Sequence, residues 1–129
     1  MFPFYGISQK VRTTFTPLGG TPFYPVGDGV YSLMVRERLL SQANRPVNDL
    51  HKLAVKAVRA EAQSAAMDKL LPLLTEEEEA VFKRGRNAHT ARSGADYHRS
   101  TGFECLFGYL YLAGRIERVR ELFALCVEE

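Results

Sequence analysis

Tyr97-His98-Arg99-Ser100-Thr101-Gly102-Phe103-Glu104-Cys105-Leu106-Phe107-Gly108-Tyr109-Leu110-Tyr111-Leu112 is the stretch on which the reading of this chain turns. At helical period Phe103, Leu106, Phe107, Leu110 and Tyr111 form one apolar face, and Glu104 projects beside it, near Tyr111 and above Gly108. A carboxylate is seldom left in such surroundings. The spacing Thr101-Gly102-Phe103-Glu104 also fits a capping box, in which Glu104 opens a helix and does nothing more. A second acid weighs against that. Asp28, in Val26-Gly27-Asp28-Gly29-Val30-Tyr31, likewise sits in an apolar helix opening, between glycines that let another backbone approach closely. Two carboxylates embedded in core-like sequence point to a shared site, with Gly27 or Gly29 on one helix and Gly108 on the other permitting the approach.

Outward from these two acids the pattern is helical. From Pro25 to Gln42, Val30, Leu33, Met34 and Leu40 line one side and Tyr31, Val35 and Leu39 another, which predicts a central helix buried on most of its surface. Asn44-Arg45-Pro46 reads as a turn. Asn48 then caps a helix that turns Leu50, Leu53, Ala54, Ala57 and Val58 inward and carries His51, Lys52, Lys56 and Arg59 on its other faces. An alanine-rich helix with Ala60, Ala62, Ala65, Ala66, Leu70 and Leu71 stops at Pro72, its small side chains permitting close packing.

Thr75-Glu76-Glu77-Glu78 is a second capping box, and the run Glu76 to Glu79 lies where a helix dipole favours acids, so its role reads as structural. Lys83 and Arg84 suit the far end of that helix, with Gly85 as a left-handed terminator. Ala113-Gly114 breaks the Glu104 helix, and Arg115 to Cys126 forms a last amphipathic one with Ile116, Val119, Leu122, Phe123 and Cys126 inward. The expectation is an all-α bundle of about six helices over residues 26–129.

Residues 1–25 differ in kind: four of the six prolines (Pro3, Pro17, Pro22, Pro25) and Gly19-Gly20 rule out a helix through them. Val11 to Thr16 reads as a short strand and Pro17-Leu18-Gly19-Gly20 as a turn, giving a non-helical N-terminal arm or extension. A length of 129 residues suits a single domain, and 46% hydrophobic residues suffice for its core. Cys105 and Cys126, without close spacing or a histidine pair, read as buried reduced thiols, and His51, His89 and His98 are too scattered for a zinc site. No apolar run approaches membrane-spanning length and no targeting segment opens the chain, so the expected location is cytoplasmic, with no membrane partner.

A net charge of +2 is too small to imply nucleic acid by amount, so its distribution matters. Between Val81 and Phe103 stand Lys83, Arg84, Arg86, Arg92 and Arg99 against Asp96 alone. Arg84, Arg86 and Asn87, around a glycine, have the donors and backbone freedom to grip phosphates, and Lys52 and Lys56 supply a second group of cations.

Gly27-Asp28-Gly29-Val30-Tyr31 with Val35-Arg36, then Arg84-Gly85-Arg86-Asn87-Ala88, then Ser100-Thr101-Gly102-Phe103-Glu104 with Gly108-Tyr109-Leu110-Tyr111-Leu112, resembles the Mini-ribonuclease III family, compact relatives of ribonuclease III that lack a separate double-stranded-RNA-binding domain. The resemblance covers about residues 26 to 125 and not the arm. It implies a ribonuclease III-like endonuclease domain that hydrolyses double-stranded RNA with Mg²⁺, in which Asp28 and Glu104 are the catalytic, metal-holding acids. It also implies a homodimer, each site cutting one strand to leave a short 3′ overhang, and a part in maturing precursor large-subunit ribosomal RNA. The RNA-binding residues expected are Arg84, Arg86, Asn87, Arg99, Lys52 and Lys56.

This chain departs from the family in two places: Pro22 and Pro25 interrupt the first helix upstream of Asp28, and the segment from Ala88 to Gly94 is short. One turn before Glu104, where the larger family carries an aspartate, stands Thr101, as in Mini-ribonuclease III. The alternative is a catalytically inactive ribonuclease III-like protein that binds RNA or the ribosome; a more distant one is a helical interaction module in which Glu104 only caps a helix.

Overall fold

A computed structural model of the chain describes residues 23–42, 46–88 and 94–127. Six α-helices are described: α1 (Tyr24–Gln42), α2 (Val47–Ala57), α3 (Ala60–Leu70), α4 (Glu76–Arg86), α5 (Ala95–Leu112) and α6 (Ile116–Val127), with a 3-10 turn at Leu71–Leu73. The expected strand and turn between Val11 and Gly20 lie outside the described residues, as do Ala43 to Arg45 and most of the segment after Ala88. The first helix opens at Tyr24, and Phe23 just before it is a core residue, 1% exposed.

The central element is α5, not α1. Every residue from Ser100 to Leu110 is buried, because α5 is apolar or small on all sides and α1, α3 and α4 pack around it. On α1 only Gly27, Tyr31 and Val35 are buried, a stripe at i, i+4 and i+8, while Leu33 and Leu40 are 61% and 67% exposed. Periodicity placed apolar residues on two sides of α1, but the bundle covers only one. Tyr31 anchors that covered side, meeting Phe103, Phe107 and Phe123 edge-on at 4.8, 5.4 and 5.6 Å between ring centres.

Two glycine crossings set how close the helices come. A methyl on Gly27 would overlap the backbone of Glu104 and stand 2.9 Å from Gly108 N, and one on Gly108 would stand 2.9 Å from Gly27 N and overlap the Phe23 carbonyl. The α1–α5 contact is therefore backbone against backbone, with Gly27 next to Asp28 lying on Glu104 and Gly108. Gly29, the other candidate for this approach, has open space where its side chain would be.

The second crossing joins α4 to α5, where a methyl on Gly85 would meet Cys105 at 2.8 Å and the Cα of Gly102 at 2.9 Å. Gly85 is thus not the helix terminator expected from Lys83-Arg84-Gly85. It lies inside α4 without a positive φ, and the helix runs on to Arg86. The left-handed terminator among the described residues is Gly114, at φ 78°, after α5.

Thr75 opens α4 as expected. Its hydroxyl accepts from Glu78 N at 3.2 Å, and Glu78 Oε1 accepts from Thr75 N at 2.9 Å. Glu78 is buried and takes two further bonds from Arg118 of α6, at 2.9 and 2.8 Å. Burial pushes its carboxyl up, but the bonds from Arg118 and Thr75 outweigh this and hold it below its ordinary value. Glu77 accepts from the Tyr109 hydroxyl and pairs with Arg115 at 3.1 Å, and Glu79 pairs with Lys83 at 3.2 Å. The glutamate run is structural. On α3, by contrast, the alanines do not all turn inward: Ala62 and Ala65 are exposed, and the buried stripe is Gln63, Ala66, Met67 and Leu70 with Ser64 beside it.

Candidate active site

Because Gly27 and Gly108 let α1 touch α5, the side chains that leave the two helices at the contact meet. The carboxyl groups of Asp28 and Glu104 come close enough for Asp28 to act directly on the protonation of Glu104. Glu104 lies in the middle of α5, which starts at Ala95. Thr101 donates its hydroxyl to the Tyr97 carbonyl at 3.1 Å instead of capping a helix start. The capping-box spacing around Glu104 is therefore incidental.

Glu104 is 6% exposed and Asp28 is exposed, so the pair has one buried and one open member. Burial, then the hydrogen bond and negative charge of Asp28, push the Glu104 carboxyl up to about 8, against a smaller opposite pull from Gln63. At neutral pH the pair holds a proton between two groups that, both ionised, would repel. This is the electrostatic condition in which a divalent cation is favoured, and the donors are hard oxygens of the kind Mg²⁺ takes, so the residues present fit such an ion. Among the described residues no third His, Cys, Asp or Glu joins the pair.

Two residues of the site escaped the sequence reading. Gln63 on α3 donates from Nε2 to Glu104 Oε2 at 3.3 Å. Its signal was a polar residue in register with Met67 and Leu70 on an otherwise apolar stripe. Tyr24 stands one turn before Asp28 on α1, and its hydroxyl is pushed up by burial and by the charges of Glu104, Tyr97 and Asp28. It falls within residues 1–25, which the prolines mark as non-helical, one residue before the helix expected from Pro25.

The expected phosphate-binding residues do not form a single cluster. Arg86 and Asn87, at the end of α4, are bonded to each other at 3.2 Å, and the Arg86 guanidinium lies 5.7 Å over the Phe82 ring. The Arg86 carbonyl is also 3.2 Å from His98 Nδ1 of α5. Arg84 is exposed one residue before Gly85. Arg99 is held on α3, where its Nε reaches Ser64 Oγ and its Nη2 reaches the Ser64 carbonyl, both at 2.8 Å, and Asp68 at 2.7 Å. Lys52 and Lys56 are exposed on α2, which packs mainly on α1.

A family model for the ribonuclease III domain matches residues 25–115, the span that contains both acids and all six of these residues. The chain belongs to the ribonuclease III family. It is 52% identical over 102 residues to a Mini-ribonuclease 3 of Symbiobacterium thermophilum, covering 75% of this chain and 78% of that one. It is 45% identical over 108 residues to one of Thermoanaerobacter, covering 80% and 76%, and 41% identical over 122 residues to one of Enterococcus faecalis, covering 89% and 92%. Among solved structures it is similar to a crystal structure of a Fusobacterium nucleatum protein, with TM-score 0.75 and 27% identity over 84% of this chain and 90% of that one. The all-α bundle is thus the ribonuclease III fold. No helix among the described residues of this family member is long and apolar enough to cross a membrane.

Proposed function

We propose that this ribonuclease III-family endoribonuclease cuts double-stranded RNA at a Mg²⁺ ion held by Asp28 and Glu104. The observation that carries the proposal is the meeting of these two carboxyl groups across a backbone contact that tolerates no side chain at Gly27 or Gly108. When bound, Mg²⁺ acidifies the attacking water and offsets the charge that develops on the phosphorane-like transition state. Asp28, on the solvent side, and Glu104, on the protein side, anchor the ion in one place. To do so Glu104 gives up the proton it shares with Asp28.

The basic residues bring the duplex to that place. Arg84, Arg86 and Asn87 grip phosphates at the end of α4, with Lys52 and Lys56 as a second group on α2, while Arg99 acts from a fixed position one turn and one residue before Glu104. Double-stranded RNA is recognised by shape, phosphates and 2′-hydroxyls, which such scattered cations suit better than base reading. The active unit is a homodimer, supported by an apolar groove of about 480 Å³ between α1 and α6 lined by Val26, Val30, Leu33, Met34 and Ile116. Its two sites cut one strand each, leaving a short 3′ overhang, and its role is the maturation of precursor large-subunit ribosomal RNA in the cytoplasm.

The test is incubation with duplex RNA with and without Mg²⁺, alongside size-exclusion chromatography. Cleavage that chelator abolishes, by a dimer, is the expected result; RNA binding without cleavage selects the inactive RNA-binding alternative.

A further inference from the structure

Gln63 is 1% exposed, on the stripe of α3 that Ala66, Met67 and Leu70 share, where a core hydrocarbon is the ordinary occupant. Burying an amide is costly unless it is bonded, so the position has a reason to be polar. Its partner supplies that reason: the amide nitrogen donates to one oxygen of Glu104 across 41 residues of sequence. A neutral donor here has a property that no cation shares. It fixes one carboxylate oxygen and leaves the negative charge uncancelled, whereas Lys or Arg would neutralise it and repel an incoming cation. The next residue, Ser64, accepts from Arg99 at its hydroxyl and its carbonyl, so two consecutive residues of α3 hold two polar side chains of α5 in place.

We propose that Gln63 is a positioning residue that locks the Glu104 carboxylate toward Asp28, so that the cation seat is formed before the cation and RNA arrive. The inference rests on the reading of Asp28 and Glu104 as cation ligands. Partners that orient metal ligands from behind are commonly worth about 10- to 100-fold in metal affinity.

The experiment measures Mn²⁺ binding to the RNA-free full chain, by the paramagnetic resonance of free Mn²⁺, for wild type, Asp28→Asn and Gln63→Met. Methionine keeps the length of glutamine and packs in an apolar stripe, but donates nothing. The expected result is binding by wild type, loss in Asp28→Asn, and a Kd raised about tenfold or more in Gln63→Met at unchanged helix content. In cleavage of duplex RNA, the Mg²⁺ concentration for half-maximal rate should rise by the same factor while the rate at saturating Mg²⁺ stays within about threefold, a split that a purely structural role does not produce.

A Kd for Gln63→Met within twofold of wild type overturns the role of Gln63 while leaving the seat intact. Wild type that binds no Mn²⁺, or Asp28→Asn that binds it equally, overturns the seat and the inference with it. If Gln63→Met does not fold, Gln63→Asn decides in its place: its amide withdraws by about 1.5 Å from a contact already at 3.3 Å, so a wild-type Kd there equally overturns the proposal.

Discussion

Glu104→Gln should make the metal-free protein more stable above neutral pH while removing its activity. In the unfolded chain the Glu104 carboxyl titrates near its ordinary value; in the fold, burial and Asp28 push it up to about 8. A carboxyl raised on folding contributes stability that is full below the unfolded pKa and is lost as pH rises toward the folded one. Wild type therefore loses up to about 1.4 kcal/mol per pH unit between pH 5 and 8 from this group alone. The full shift is worth about 5 kcal/mol, and the open Asp28 side of the site, where water screens the pair, takes this to about 3.

Glu104→Gln has no proton to lose. Its amide oxygen still accepts from Gln63, and its NH₂ donates to Asp28. Urea unfolding in chelator should find the two proteins within about 1 kcal/mol at pH 5 and the variant ahead by about 3 kcal/mol at pH 8.5. Adding Mg²⁺ at pH 8.5 should narrow that gap by stabilising wild type alone. Parallel stability curves from pH 5 to 8.5 would refute the buried, proton-sharing pair.

The same proton makes cation affinity pH-dependent. Mn²⁺ binding to wild type should strengthen by up to about tenfold per pH unit from pH 6 to 8 and level off above, and a pH-independent Kd contradicts this. Gly27→Ala should cost about 3 kcal/mol or more, because its methyl overlaps the Glu104 backbone. Gly29→Ala, two residues on and facing open space, should gain about 0.5–1 kcal/mol by helix propensity; equal effects of the two in thermal unfolding contradict the crossing. Arg86→Ala should weaken duplex RNA binding alike for all sequences and lower the salt slope by about one contact, while an unaltered slope moves the phosphate grip to Lys52, Lys56 and Arg59.

Much of this architecture is legible locally. The capping box at Thr75 and the break at Gly114 depend on neighbours in sequence, and they stand where spacing places them. The two acids were legible as anomalies, charges in apolar surroundings. What escaped depends on which helix faces which. Gly85 follows two cations as a terminator would, and only the approach of Gly102 and Cys105 shows that it serves packing. The α1 helix has apolar residues enough for burial on two sides, yet the bundle has one helix at its centre, and the all-round apolar α5 takes it. Gln63 and Ser64 look like surface residues of an alanine-rich helix until α5 supplies the carboxylate and guanidinium they hold.

On the proposed reading, Asp28 and Glu104 hold the ion at which RNA is cut. Single-turnover cleavage of an end-labelled RNA duplex by excess protein, comparing wild type with Glu104→Gln in Mg²⁺ and wild type in chelator, tests it most directly. The expected result is cutting by wild type in Mg²⁺, none in chelator, and for Glu104→Gln an unchanged duplex Kd with a rate lower by about 10³-fold or more, as loss of several kcal/mol of transition-state stabilisation requires. Cleavage by Glu104→Gln at the wild-type rate would contradict it.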